Sequence, residues 1–474
     1  MIPALLAVIT ASAPAATELT VYNQGFALVK EVRTLDLKAG NQTVAITDVA
    51  ERIEPDSVAV RSLDGPTTFT VLEQNYQFDL VSPEAILNKA VGGTIFLNRI
   101  LPNGVRERLE GTLLSPPTSV VTTPDGASRQ YQGLVVRTVD GRILLSPSGE
   151  IEVATIPEGL ISRPSLLWNL EVAQAGKRDV ELSYLTQGVG WSTAYVLTVN
   201  ALGKTADLMG WVTLTNQSGG TWRDAKLKLL AGEVQRAQMA KPMAGRAGGL
   251  RMEADAVAAF AEEGFADYHL YTLQRPTTVR QNETKQVALL EARAVPITRR
   301  LVVDPLRSMG RIRPNEGEFG TGTLKPQVFY EFTNNAASHL GMPLPAGNIK
   351  VFGPDQSGSL QLIGEDQIGH TAREERVNLF VGRAFDIVVE RKRVSFQYIR
   401  VGNDIRGARE EFATEIRNRK DTSDTVDLIE RFGGEWNLTS DATFTKMDAN
   451  SGRFRVELGP NASRTVKYTV ETRW

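Results

Sequence analysis

Two carboxylates and an imidazole stand within six residues in Gly364-Glu365-Asp366-Gln367-Ile368-Gly369-His370, a run flanked by glycines. Carboxylate oxygens and a ring nitrogen are ligand types for a divalent cation, so Glu365, Asp366 and His370 are the candidate metal ligands. Their spacing matches no defined metal motif. The plainer reading has the two acids solvating a hairpin while His370 makes a local hydrogen bond. The other two histidines, His269 and His339, lie far away in the chain. No G-x-S-x-G, H-E-x-x-H, G-x-x-x-x-G-K or G-x-G-x-x-G run occurs, so no residue is assigned as catalytic and no cofactor is implied. Paired carboxylates for glycoside hydrolysis come from distant positions and leave no local signature. The basic run Glu390-Arg391-Lys392-Arg393, beside the alternating Val394, Phe396 and Tyr398, reads as a solvated strand edge whose charges oppose edge-to-edge aggregation.

These residues belong to a chain of 474 residues, longer than the roughly 250–300 at which one hydrophobic core stops growing, so several domains are expected. The chain is 42% hydrophobic and 23% charged, an ordinary globular composition. Lys and Arg number 53 against 55 Asp and Glu, a net charge of -2 that withholds the general attraction on which nucleic-acid binders depend. No nucleic-acid partner is expected. There is no cysteine, which excludes disulfides, thiolate catalysis, iron–sulfur clusters and cysteine zinc sites.

Residues 2–13, IPALLAVITASA, form an apolar run of signal-peptide length followed by Pro14-Ala15-Ala16, which resembles a cleavage region. A transmembrane helix needs about 20 apolar residues, so the run is too short to span. No Lys or Arg precedes it, and a buried strand is the competing reading. Residues 1–16 are taken as a signal peptide, with an exported protein that is periplasmic, cell-envelope or extracellular and has no integral membrane segment.

From Thr17 onward, short runs of Val, Thr, Leu, Ile and aromatics alternate with polar residues and stop at Gly, Pro, Asn and Asp clusters. The expected fold class is all-β and multi-domain: immunoglobulin-like β-sandwiches plus a small SH3- or Sm-like barrel in the N-terminal half, with few short helices. An N-terminal β domain is assigned to 17–81. Ser82 before Pro83, with Gly92-Gly93 beyond, predicts a helix of two to three turns. That helix and strands read at 93–99, 106–114, 129–138, 141–145 and 150–156 make the barrel unit, 82–165. Such barrels bind peptides or RNA but are also common inert building blocks.

A middle sandwich is assigned to 166–300, where Trp191, Trp211 and Trp222 read as core rather than as a sugar platform. Within it, 238–265 is rich in Ala, Gly and Met and is expected to be a mobile insertion or a short helix near 252–262. A C-terminal sandwich covers 301–474.

One layout recurs: a strand, an Asn-led turn, a second strand. It is read at 210–230 with Asn216, at 328–352 with Asn334-Asn335 and the loop Gly341-Met342-Pro343-Leu344-Pro345, and at 410–432 with Asn418. An Asn just past a strand can hydrogen-bond the following backbone and so ends the strand.

The segments Val71-Leu72-Glu73-Gln74-Asn75-Tyr76, Pro157-Glu158-Gly159-Leu160-Ile161-Ser162-Arg163-Pro164, YHLYTL at 268–273 with Arg275-Pro276-Thr277-Thr278, LGMPLPAG at 340–347, and Gly364-Glu365-Asp366 with His370-Thr371 resemble the bacterial family named domain of unknown function 4139. The resemblance covers nearly all of the chain after residue 16. It implies a mostly β, often exported bacterial protein, and brings no catalytic residues with it. Two function classes follow. The preferred one is a non-enzymatic envelope scaffold that binds other envelope proteins or glycans; the alternative is a hydrolase of envelope glycans or peptides with its site at a domain junction.

Overall fold

The computed structural model describes residues 9–10, 12–65, 68–78, 82–100, 104–115, 118–123, 126–131, 133–155, 161, 163–236, 260–307, 314–317 and 320–474. The protein is all-β, built from several sheets, with one α-helix among the described residues. Alternation is the cause. In Phe26–Leu37, Val29, Leu35 and Leu37 are buried and the residues between, Leu28, Lys30, Thr34 and Asp36, are not, as a period of two on a half-covered sheet requires.

The largest sheet runs in the order Phe260–Phe265, Tyr268–Leu273, Trp222–Ala231, Ala16–Tyr22, Phe26–Leu37, Gly176–Gln187 and Ala59–Ser62. Ala16–Tyr22 pairs with Trp222–Ala231 in parallel, Glu18 opposite Lys226. A five-stranded sheet is ordered Glu283–Pro296, Thr205–Asn216, Val189–Val199, Gly347–Pro354 and Leu360–Ile368. A third sheet sets Ser165–Val172 between Gly40–Thr47 and Phe69–Gln77. One hydrophobic cluster, from Leu19 to Val381, takes side chains from all three. Strands of the expected 17–81 and 166–300 units therefore share sheets, and Gly347–Pro354 carries the same core past residue 300. Trp191 and Trp222 lie in that core, Trp211 is half-buried, and Trp168 is more deeply buried than any of the three.

At the N-terminus, Ile9–Thr10 forms a short strand parallel to Val44 and Ala45. Of the 238–265 stretch, residues 238–259 lie outside the described residues. Phe260–Phe265 is a strand paired with Tyr268–Leu273, not a mobile segment or the end of a helix.

The helix is Pro83–Lys89, and the Ser82 hydroxyl accepts from the Ala85 N–H. Ser82→Ala is expected to cost about 1 kcal/mol of local stability, read as faster amide exchange at Ala85. Unchanged exchange would refute the cap. Beyond the helix, Ile143–Leu145, Val135–Thr138, Arg106–Ser115, Thr94–Ile100 and Glu150–Val153 pair in that order around a small core of Ile95, Leu113 and Val136. The stretch read as one strand at 129–138 is two: Gly126–Tyr131 turns away to pair with Thr118–Thr123, and Val135–Thr138 stays in the small sheet.

The C-terminal part packs two sheets around Val389, Phe412, Leu428, Phe454 and Tyr468. One is ordered Arg376–Arg383, Gln327–Thr333, Thr298–Val303, Asp424–Arg431, Ser451–Leu458 and Phe444–Lys446; the other Gly322–Leu324, Ile387–Val401, Asp404–Asn418, Ser463–Arg473 and Glu435–Ser440.

Asn216, Asn334 and Asn418, the recurring turn residues, are all fully buried at strand ends. Each amide is used on both sides. Asn216 donates to the Gly220 carbonyl and accepts from the Ser218 N–H. Asn334 donates to the Met342 and Ala372 carbonyls and accepts from the Gly341 N–H. Asn418 donates to the Thr422 and Gly459 carbonyls and accepts from the Lys420 N–H. A buried irregular turn needs such partners, because its backbone groups have no ladder to enter.

Candidate functional site

The three candidate metal ligands are not brought together. Glu365 and Asp366 are neighbours in the strand Leu360–Ile368, so their side chains leave opposite faces. Glu365 lies 3.8 Å from Lys350, both exposed. One Asp366 oxygen accepts from the Phe380 N–H at 2.7 Å. His370 lies past the strand end, where its Nδ1 accepts from the Ala346 N–H at 3.2 Å. Among the described residues, no group of three or more His, Asp or Glu side chains is placed to hold a metal ion. Nearness in sequence failed as a guide to nearness in space because the strand's alternation separates 365 from 366.

His269, whose ring is partly exposed, bonds Glu262 at 2.8 Å, and the same carboxylate receives Arg373 at 2.8 Å. The Glu262 side chain is only 7% exposed. Its hydrogen bond with His269, and then that with Arg373, outweigh burial and hold the carboxyl below its usual pKa. A carboxyl depressed in the folded state contributes stability that is complete above its unfolded pKa of about 4.3 and lost as pH falls through the lower folded value. Acid titration is therefore expected to loosen the 260–273 hairpin below about pH 4, and Glu262→Gln to remove that dependence. Amide exchange at 260–273 checks this; an identical acid response in the variant would count against it.

A further set of buried charges lies in the C-terminal sandwich, in the run read as a solvated edge. Period two splits that run. Glu390 and Lys392 face outward and pair with each other at 2.8 Å, while Arg391 and Arg393 continue the inward face begun by Ile387 and Val389. Arg391 is 1% exposed. Its guanidinium makes a two-pronged pair with Glu430, bonds the Tyr468 hydroxyl at 2.9 Å, and stacks on the Phe412 ring at 3.9 Å. Arg393 bonds Glu410 at 3.1 Å and the carbonyls of Asn315 and Glu316. The inward alternation was readable, but the four charges masked it. Phe26–Leu37 repeats the device: Glu31 and Arg33 sit on its inward face, 2.7 Å apart.

Burial works against the Arg391 charge, but Glu430 and then Tyr468 outweigh it and hold its pKa above the ordinary value. Glu410 goes the other way: burial pushes its carboxyl up, with Arg393 opposing. Between Arg393, Glu410, Phe412, Phe432 and Thr472 lies a cavity of about 40 Å³. That is room for a few water molecules, since about 10–15 Å³ of such space holds one. The arrangement can clamp two sheets together and bind or release one proton at Glu410.

Residues 180–474 match the family model described as Domain of unknown function (DUF4139), and residues 19–90 match the one described as N-terminal domain of unknown function (DUF4140). No curated protein matches the chain.

Proposed function

The chain belongs to the DUF4139 family, and from that premise we propose that it is a non-catalytic scaffold, exported to the bacterial cell envelope, that holds other envelope proteins or glycans at its sheet edges and loops. The observation that carries this reading is the state of two buried carboxylates of the C-terminal sandwich, Glu430 and Glu410. Both oxygens of Glu430 are held by Arg391, one oxygen of Glu410 is held by Arg393, and the cavity beside them, about 40 Å³, is far smaller than the roughly 300 Å³ at which ligand pockets begin. The Arg391–Glu430 pair joins the two sheets as a clasp, while Arg393 and Glu410 are paired within one of them. Among the described residues no helix is long and apolar enough to cross a membrane.

Glu410 is also the observation that favours the second reading, a hydrolase. A carboxyl raised by burial beside a second carboxylate is how a general acid is kept protonated near neutral pH. The full chain, incubated with labelled peptidoglycan, oligosaccharides and peptides, is expected to turn none of them over. Turnover that disappears in Glu410→Gln would overturn the scaffold. Recovery of the protein from the cytoplasm alone after fractionation would overturn export.

A further inference from the structure

The segment 340–346 is unusual for a connection: residues 340–345 are all buried. Connections ordinarily run over the surface, where water serves their backbone groups. Here side chains serve them. Tyr271 donates to the Pro343 carbonyl at 3.0 Å, Tyr195 to the Pro345 carbonyl at 2.8 Å, and Thr193 to the Ala346 carbonyl at 2.6 Å. The loop that follows Leu360–Ile368 closes over the segment. Leu344 and Thr371 exchange two backbone bonds at 2.8 and 2.9 Å, and His370 Nδ1 accepts from the Ala346 N–H. Arg373, on the same loop, reaches Glu262.

Every bond in this seam except one is indifferent to mild acid. Peptide carbonyls, a threonine and tyrosines keep their donors and acceptors from pH 5 to 8. An imidazole nitrogen that accepts from an N–H is different, because it can do so only while unprotonated. We propose that His370 is a proton-sensitive latch on the 340–346 segment, closed when its ring is neutral and released from Ala346 when the ring is protonated.

The groups around the ring move release to the acid side of the ordinary imidazole value. His269 faces it from the Tyr268–Leu273 strand, and its charge disfavours a second positive charge. Glu233, after the Trp222–Ala231 strand, acts the other way. Burial and then His269 outweigh Glu233, and the ring's pKa lies below its ordinary value. Arg373 on the same loop is neutralised by Glu262, which also takes His269. A histidine depressed in the folded state gives stability that is complete well above its unfolded pKa and falls as pH drops through that range, about 6.5 and below. The Glu262 pair survives to more acidic pH, so the loop stays tethered at Arg373 while Ala346 is freed.

The test is amide exchange on the full chain at pH 7.5 and pH 5, corrected for the intrinsic pH dependence. Protection at Ala346 is expected to fall about three- to tenfold at pH 5, the worth of one neutral hydrogen bond, with Leu344 unchanged. His370→Gln, whose side-chain oxygen can accept the same N–H without titrating, is expected to abolish the difference. Equal protection of Ala346 at both pH values, or the same fall in His370→Gln, overturns the latch. Equal loss at Leu344 and Ala346 also overturns it, since the whole segment would then be opening for another reason.

Discussion

Replacing Arg391 with alanine is expected to destabilise the C-terminal sandwich by about 3–5 kcal/mol, the cost of leaving a buried carboxylate without its partner. Glu430, 1% exposed, would be left without its partner inside a core of Phe412, Phe454 and Tyr468, and Tyr468 would lose the guanidinium its hydroxyl faces. The double variant Arg391→Met with Glu430→Leu removes both charges and keeps the volume, so it should recover most of that loss. Urea unfolding followed through Trp436, which packs on Phe432 and Phe444 in the same sandwich, gives the comparison. A single variant costing less than about 1 kcal/mol, or a double variant no better than the single, would mean the clasp is not what holds the sheets.

Asn334→Ala should cost nearly as much, about 3 kcal/mol, by a different route. Its one fully buried amide serves two carbonyls and one N–H, so alanine removes three hydrogen bonds to buried backbone at once. Asn335 is the control. Its side chain accepts only from the Ser338 N–H at a half-buried position, and Asn335→Ala should lose about 1 kcal/mol, as an ordinary cap does. Thermal unfolding of the two variants side by side decides the matter: equal losses would show that burial of the amide is not the cause.

The contrast between those two neighbours marks how far the residues could be read in advance. That Asn216, Asn334 and Asn418 end strands was legible, because the mechanism is local: one side chain bonds backbone a few residues away. Ser82 and Pro83 announced their helix for the same reason. The pairing of Phe26–Leu37 with Gly176–Gln187 was not legible, since alternation states that a strand has a covered face but not which strand lies beside it. The candidate metal ligands failed on the converse error. Glu365, Asp366 and His370 were joined by proximity along the chain, but the strand sends 365 and 366 to opposite faces and ends before His370. Arg391 was misplaced because its charge was given more weight than its register, although the inward series Ile387, Val389, Arg391 was already written in the chain.

The parallel pairing of Ala16–Tyr22 with Trp222–Ala231 bears on the order in which this molecule can come into being. The first strands can form a hairpin with each other as soon as they exist. The ladder on their other side waits until about two hundred further residues have been made. Pairings across such distances are slow, because the loop must close before any contact rewards it. Until then, Ala16–Tyr22 offers an open edge to any extended chain nearby. The same holds in reverse for a fragment beginning near residue 180, where Trp222–Ala231 would stand without the neighbour that only the first two dozen residues supply. The two stretches that family models match separately thus meet in one sheet, where each lays a strand beside the other's.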